Sequence, residues 1–219
     1  MQLIKQILLL VKLEISLELR SKAALSALIL YVIATVFTVY MCLKTNDDRT
    51  WNALVWIVIL FVCMNVVSKS FFQTHQSRWN YYYTTVPPVA LLFSKIIYNT
   101  MLAVCLSLMT WTVFYMLFGI EVTRFLMFLS IIIIGSATLT ATLTMLSAIA
   151  AKSNNNSTLL AVLSFPILVP IIMLISQLSL AAFTDMKWNN LANDAFSLLA
   201  MHVLVYALGA LLFPYLWRD

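Results

Sequence analysis

Residues 125–151, FLMFLSIIIIGSATLTATLTMLSAIAA, decide the fold because they contain no charged side chain. A helix needs about 20 mostly apolar residues to cross the hydrocarbon layer of a bilayer, and this stretch is long enough. The whole chain of 219 residues is also strongly apolar, with 63% hydrophobic and only 10% charged residues. Soluble domains have about 25% charged residues. The composition therefore predicts an all-α integral membrane protein.

Apolar runs on both sides of this stretch predict a polytopic protein with six transmembrane helices. No soluble domain of any size separates them, so residues 1–219 are expected to form one membrane domain. The predicted spans are residues 23–43, 51–68, 96–119, 125–151, 159–183 and 195–217.

Residues 1–22 predict an amphipathic helix that lies at the membrane interface before the first span. At the helical period its polar side chains share one side, and these are Gln2, Lys5, Gln6, Lys12, Ser16 and Arg20. Glu14, Glu18 and Lys22 form a row on the opposite side, where Glu18 can pair with Lys22. Unpaired charge is costly in lipid, so we expect this row to contact protein or a polar loop.

The longest polar interval begins at residue 69 and reads KSFFQTHQSRWNYYYTTVPP. It mixes basic and aromatic side chains without a carboxylate, which suits the cytoplasmic membrane boundary. We interpret residues 69–95 as a cytoplasmic coupling segment that contacts a soluble partner. Its candidate contact residues are Lys69, Phe71, Phe72, His75, Arg78, Trp79, Tyr81, Tyr82, Tyr83 and Pro87.

The distribution of basic residues predicts that both termini are cytoplasmic, because cytoplasmic loops are enriched in Lys and Arg. With that orientation nine of the 13 basic residues are inside and four are outside. The inside set is Lys5, Lys12, Arg20, Lys22, Lys69, Arg78, Lys95, Lys152 and Arg218, and the outside set is Lys44, Arg49, Arg124 and Lys187.

No catalytic or nucleotide-binding motif is visible, so the chain is not expected to be an enzyme. Its three glycines cannot form a Gly-rich phosphate loop, and any ATP would be hydrolysed by a partner subunit. The basic residues are dispersed, which argues against nucleic-acid binding. No motif for a metal or bound cofactor is recognisable.

Several residues within the predicted spans need a partner or bend a helix. For Asn65 and Asn99 we favour hydrogen bonds between helices. His202 is either a functional group or a histidine bonded to a neighbouring helix. Pro166 and Pro170 each remove a backbone donor, so the fifth span is expected to be kinked, as a structural bend or as a hinge.

These features together resemble one family over nearly the whole chain. The similar positions are Leu17 to Arg20 followed by Lys22, Lys69 to Phe71, Pro87, Ser94, Lys95, Asn99, Gly135, Pro166 and Pro170. The family is that of heme exporter protein B (CcmB), and the loop and residues 212–218 are similar to its version in Bacteroidetes. At Thr74, Gln76 and Tyr81, where family members often carry acidic residues, this chain differs, which implies tyrosines in place of ion pairs.

The resemblance implies an ABC-2-like permease of the bacterial inner membrane that serves cytochrome c maturation. Its implied partners are a cytoplasmic ATPase subunit, other maturation proteins and a second copy of the chain, with heme as cargo or as the load of a released chaperone. The alternatives from the residues alone are a permease for a lipid, drug or polysaccharide, and a membrane scaffold without transport.

Overall fold

The structure is a computed structural model that describes residues 2–20, 22–43, 47–72, 86–119, 122–152, 157–183 and 188–218. Within these ranges the chain forms seven helices and no strand, which confirms the all-α fold class. The helices are α1 (Gln2–Arg20), α2 (Lys22–Cys42), α3 (Asp48–Phe72), α4 (Pro88–Phe118), α5 (Phe125–Lys152), α6 (Ser157–Leu180) and α7 (Trp188–Arg218).

Six of the described helices are long and apolar enough to cross a membrane, as predicted. The helix that is not among them is α1, which carries Lys and Glu side chains along its length. The six apolar stretches are Leu25–Cys42, Asp48–Ser68, Pro88–Phe118, Phe125–Ala151, Val162–Leu180 and Ala192–Leu212.

The helix α4 is longer than the span predicted for it. It begins at Pro88, inside the segment assigned to the coupling loop, and not near residue 96. Proline suits this first position because its fixed backbone angle is helical and it needs no intrahelical acceptor. The helix ends at Gly119, whose φ of 64° is left-handed and therefore favours glycine.

The central helix is α5, which packs against α3, α4, α6 and α7. Its small side chains let neighbouring backbones approach closely, as is common between membrane helices. At Gly135 an added Cβ atom would lie 2.8 Å from Cη2 of Trp56 and 3.1 Å from Cγ2 of Ile175. Only glycine fits at this crossing without movement of a neighbour.

Aromatic side chains close one end of the bundle, where α3 begins, α4 ends, α5 begins and α6 ends; we call this the aromatic end. Trp51 lies with its ring centroid 6.0 Å from Phe114, 5.8 Å from Phe128 and 5.5 Å from Phe183. The backbone N–H of Arg124 also donates to the carbonyl of Ala182 at 3.0 Å. These contacts join the four helix ends.

The opposite end of the bundle contains α1 and the start of α4. The helix α1 packs along α4 and also contacts α2. Its half-buried residues recur at helical spacing, at Ile7, Val11, Glu14 and Glu18. The two carboxylates of α1 are therefore turned toward the bundle, at what we call the α1–α4 junction.

Candidate functional site

A buried ion pair joins α1 to α4 at the α1–α4 junction. Nζ of Lys95 lies 3.2 Å from Oε1 of Glu14, and the two side chains are 2% and 18% exposed. The desolvation of both charges is costly, so such a pair is sensitive to the loss of either partner. The row predicted to contact protein thus places Glu14 against α4, with a partner 81 positions away in the sequence.

One turn further along both helices, a carboxylate and a phenol lie beside each other. Glu18 is next to the Tyr98 hydroxyl, yet Oε1 of Glu18 and the Tyr98 hydroxyl are buried without a hydrogen-bond partner of standard geometry. The predicted ion pair between Glu18 and Lys22 is not formed. Lys22 is exposed at the start of α2, whereas Glu18 is turned toward α4.

An apolar cavity of about 150 Å³ adjoins these two groups. It lies between α1, α2 and α4, and its walls are Ile15, Glu18, Leu19, Leu25, Tyr98, Met101, Leu102 and Cys105. A gap of this size means that part of α1 has no close contact with α4. The junction therefore combines a strong charged contact with loose apolar packing.

The predicted coupling segment leads along the chain into this junction. Its residues His75, Arg78, Trp79, Tyr81, Tyr82 and Tyr83 lie outside the described residues, and Lys69, Phe71 and Phe72 belong to the last turn of α3. Pro87 directly precedes α4. Lys95 follows two turns later, so the end of the segment and the Glu14 contact share the first turns of one helix.

The polar residues predicted within the spans have different partners. Nδ2 of Asn99 donates to Oγ1 of Thr144 on α5 at 3.1 Å, which is the bond between helices that we expected. The expectation for Asn65 is wrong, because its Nδ2 donates to the carbonyl of Phe61, one turn earlier in its own helix, at 3.0 Å.

His202 contacts a neighbouring helix, as one of the two interpretations required. Its Nδ1 lies 3.0 Å from Oγ1 of Thr138 on α5. Its ring also lies 4.8 Å from the ring of Tyr206, measured between centroids. The contacts with Thr138 and Tyr206 satisfy the polar imidazole of His202 within the span, as expected for a histidine bonded to a neighbouring helix.

The helix α6 is helical through both Pro166 and Pro170. The two prolines therefore do not end the helix, and the kink predicted there stays a prediction. Neither proline lies at the α1–α4 junction, since α1 does not pack against α6.

A second polar network, near the aromatic end, was missed by the sequence analysis. The indole N–H of Trp56 donates to Oγ of Ser179 at 2.7 Å, and that hydroxyl donates to Oδ1 of Asn52 at 2.7 Å. Nδ2 of Asn52 donates to the carbonyl of Ser176 at 3.1 Å. The available signal was an asparagine and two serines in otherwise apolar runs, each of which needs a partner in lipid.

Among the described residues, no group of three or more His, Cys, Asp or Glu side chains is arranged to hold a metal ion. The charged groups that do converge are Glu14, Glu18 and Lys95, on two helices that meet at one end of the bundle. These groups link α1 to the first turns of α4.

The fold and the junction define a class: a multi-pass α-helical membrane protein whose surface helix is fixed to its bundle by a buried ion pair. A family model described as CcmB protein matches residues 5–215, and the chain belongs to the CcmB family. The resemblance inferred from the sequence is thereby confirmed. A search of curated proteins gives no match.

Membership of the CcmB family makes the chain a permease subunit of the heme exporter of cytochrome c maturation, located in the inner membrane. The family consists of transporter permease subunits and handles heme as cargo. Its members work with an ATPase subunit and with other cytochrome c maturation proteins.

Proposed function

We propose that this chain couples ATP hydrolysis by a cytoplasmic ATPase subunit to heme export or to the release of a heme-loaded chaperone. It does so as a homodimer with both termini in the cytoplasm. The ATPase subunit binds residues 69–88 of the coupling segment, and the movement of these residues reaches the spans through α4.

The observation that carries this proposal is the position of the Glu14–Lys95 ion pair. The pair is formed two turns after Pro88, where α4 begins, by Lys95 at the end of the coupling segment. A displacement of the segment acts on the first turns of α4, and the ion pair makes α1 move with them. The surface helix thereby buttresses the end of the helix that receives the force.

A buried charged pair suits this task because it favours few arrangements. If α4 shifted alone, the two charges would separate in a region of low dielectric, which costs several kcal/mol. The pair therefore keeps the two helices together or requires a second stable arrangement of both. Switching between discrete arrangements is how small local shifts become large ones in transporters.

The first experiment deletes residues 79–83 and measures co-purification of the ATPase subunit in mild detergent. We expect the deletion to abolish ATPase binding and to leave membrane insertion intact, because it lies outside the six apolar helices. Normal recovery of the ATPase subunit from the deletion variant would contradict the assignment of this segment.

A charge swap tests the role of the ion pair with a matched control. Glu14→Lys and Lys95→Glu each place two like charges at the junction, and we expect each to lower the ATP-dependent activity of the complex at least tenfold. The double variant restores opposite charges and should recover most of this activity. Equal loss in the singles and in the double variant would show that the pair has no part in coupling.

The same purification identifies the cargo. Recovery of the ATPase subunit with cytochrome maturation proteins, together with heme absorbance, is the expected result for the proposed function. An ATPase subunit without those partners would favour a permease for another cargo, and no ATPase subunit would favour the membrane scaffold.

A further inference from the structure

The helix α1 sorts its charges by sign. Its two acidic residues, Glu14 and Glu18, are turned toward α4, and Glu14 is paired there with Lys95. Its basic residues Lys5, Lys12 and Arg20 are all exposed. The charged side chains that α1 presents away from the bundle are therefore all basic.

The three basic residues form one stripe along the helix. With 3.6 residues per turn, the spacings of seven from Lys5 to Lys12 and eight from Lys12 to Arg20 bring the side chains onto the same side. The stripe extends over about 22 Å at 1.5 Å per residue. The half-buried residues that face α4 occupy a different side of the helix.

An exposed apolar stripe runs next to the basic one. Ile4, Leu8 and Leu19 are 63%, 62% and 62% exposed, and their spacings of four and eleven put them on one side as well. The helix thus has one side against α4, one apolar side, and one side where the basic residues flank the exposed Leu9. A helix in the membrane interface needs this arrangement, with the apolar side toward acyl chains and the basic side among the headgroups.

We propose that the Lys5–Lys12–Arg20 stripe of α1 binds the phosphate-bearing headgroups of anionic phospholipids. The charge complementarity is direct, since the carboxylates that would weaken it face α4. A soluble acidic protein on this stripe would leave the adjacent apolar stripe in water, whereas a lipid surface covers both. Anionic lipid would hold α1 in place and, through the Glu14–Lys95 pair, the start of α4.

Hydrogen–deuterium exchange of the purified full chain tests this proposal. The chain is placed in nanodiscs of phosphatidylcholine alone, or of equal parts of phosphatidylcholine and phosphatidylglycerol. We expect the anionic lipid to slow exchange of the α1 amides by roughly tenfold to a hundredfold, because each basic residue near an anionic surface contributes about fivefold. The variant Lys5→Gln/Lys12→Gln/Arg20→Gln should lose this lipid dependence.

Two controls separate charge from general effects. Arg49→Gln removes an exposed basic residue at the aromatic end and should retain the lipid dependence. The variant Lys5→Arg/Lys12→Arg/Arg20→Lys preserves the charge and should also retain it. Unchanged exchange in α5 shows that the glutamine variant is folded.

The proposal is overturned if the wild-type α1 amides exchange equally in both kinds of nanodisc. It is also overturned if the glutamine variant keeps the effect of phosphatidylglycerol. A third contrary result is a wild-type chain without lipid dependence whose glutamine variant fails to co-purify with the ATPase subunit. In that case the stripe binds a protein.

Discussion

The two ends of the bundle are built from different interactions. At the aromatic end Trp51 contacts three other rings, and nearby Trp56 and Asn52 are joined by hydrogen bonds through Ser179. At the α1–α4 junction the main contact is an ion pair, and a cavity of about 150 Å³ lies one turn away beside Glu18 and Tyr98. A second gap, of about 110 Å³, lies near the aromatic end between α5, α6 and α7, so the two ends differ in the kind of contact that holds them.

This difference indicates which end can move. Interlocked rings and short hydrogen bonds lose many contacts at once when they are displaced, so they hold one arrangement. An ion pair is a single contact, so its displacement breaks fewer interactions at once. We therefore predict that the aromatic end is the more rigid, fixed end of the bundle.

The largest effect on stability is expected for Trp51→Ala. Removal of a buried aromatic side chain and the resulting cavity should cost about 3–5 kcal/mol, seen as a lower melting temperature in detergent. Trp51→Phe is the control and should cost less than half as much, because it keeps a ring and the indole N–H has no hydrogen-bond partner to lose. A melting temperature unchanged by Trp51→Ala would mean that the aromatic end is not the fixed end.

A somewhat smaller loss of stability, about 3 kcal/mol, is expected for Lys95→Met. This substitution leaves the Glu14 carboxylate without its countercharge. The double variant Glu14→Gln/Lys95→Met should regain most of the stability without regaining ATP-dependent activity. Thermal unfolding and activity are measured on the same samples. Activity in the double variant equal to wild type would make the ion pair structural only.

Replacing glycine by alanine at positions 135 and 209 compares the rigidity of two helix contacts. At Gly135 a new Cβ atom meets Trp56, whose indole is held by Ser179, so Gly135→Ala should cost about 1–3 kcal/mol. At Gly209 the new atom meets Cδ2 of Leu92 on α4 at 3.2 Å, a wider gap than the 2.8 Å to Trp56. Gly209→Ala should cost less in the same thermal assay, and equal costs would remove this distinction.

The smallest effect is expected for Asn99→Leu. Hydrogen bonds between membrane helices contribute about 0.6 kcal/mol on average, and Oδ1 of Asn99 has no partner to lose. A double-mutant cycle with Thr144→Val in thermal unfolding measures this coupling directly. A coupling above about 2 kcal/mol would show that α4 is fixed to α5 here as firmly as at the aromatic end.

The number of spans and the fold class were predictable because a long apolar run indicates a membrane helix without any knowledge of what it packs against. The sequence also predicted that the Glu14 row faces protein, since the helical period separates that row from the basic side. It could not predict Lys95 as the partner of Glu14, because the pairing depends on how α1 packs along α4. Lys95 was visible as a lone charge in an apolar run, but that signal names no partner.

The predicted start of the third span shows a different limit. The third span was predicted to begin near residue 96, yet the helix begins at Pro88 and includes the apolar residues 89–93 and Lys95, which is paired with Glu14. The expectation for Asn65 failed for a local reason, because its side chain bonds within its own helix. A polar side chain one turn from a carbonyl of its own helix has a local partner, which sequence alone does not rank against a distant one.

The length of α4 gives the difference between the two ends a mechanical meaning. Its 31 residues extend over about 46 Å, well beyond the roughly 30 Å of a hydrocarbon layer. If the helix pivots where Phe114 packs on Trp51, the part back to Pro88 is about 39 Å long, and a tilt of about 10° displaces Pro88 sideways by about 7 Å. In that case the helix rotates about the contact between Phe114 and Trp51, and a force applied at Pro88 acts with the longest arm.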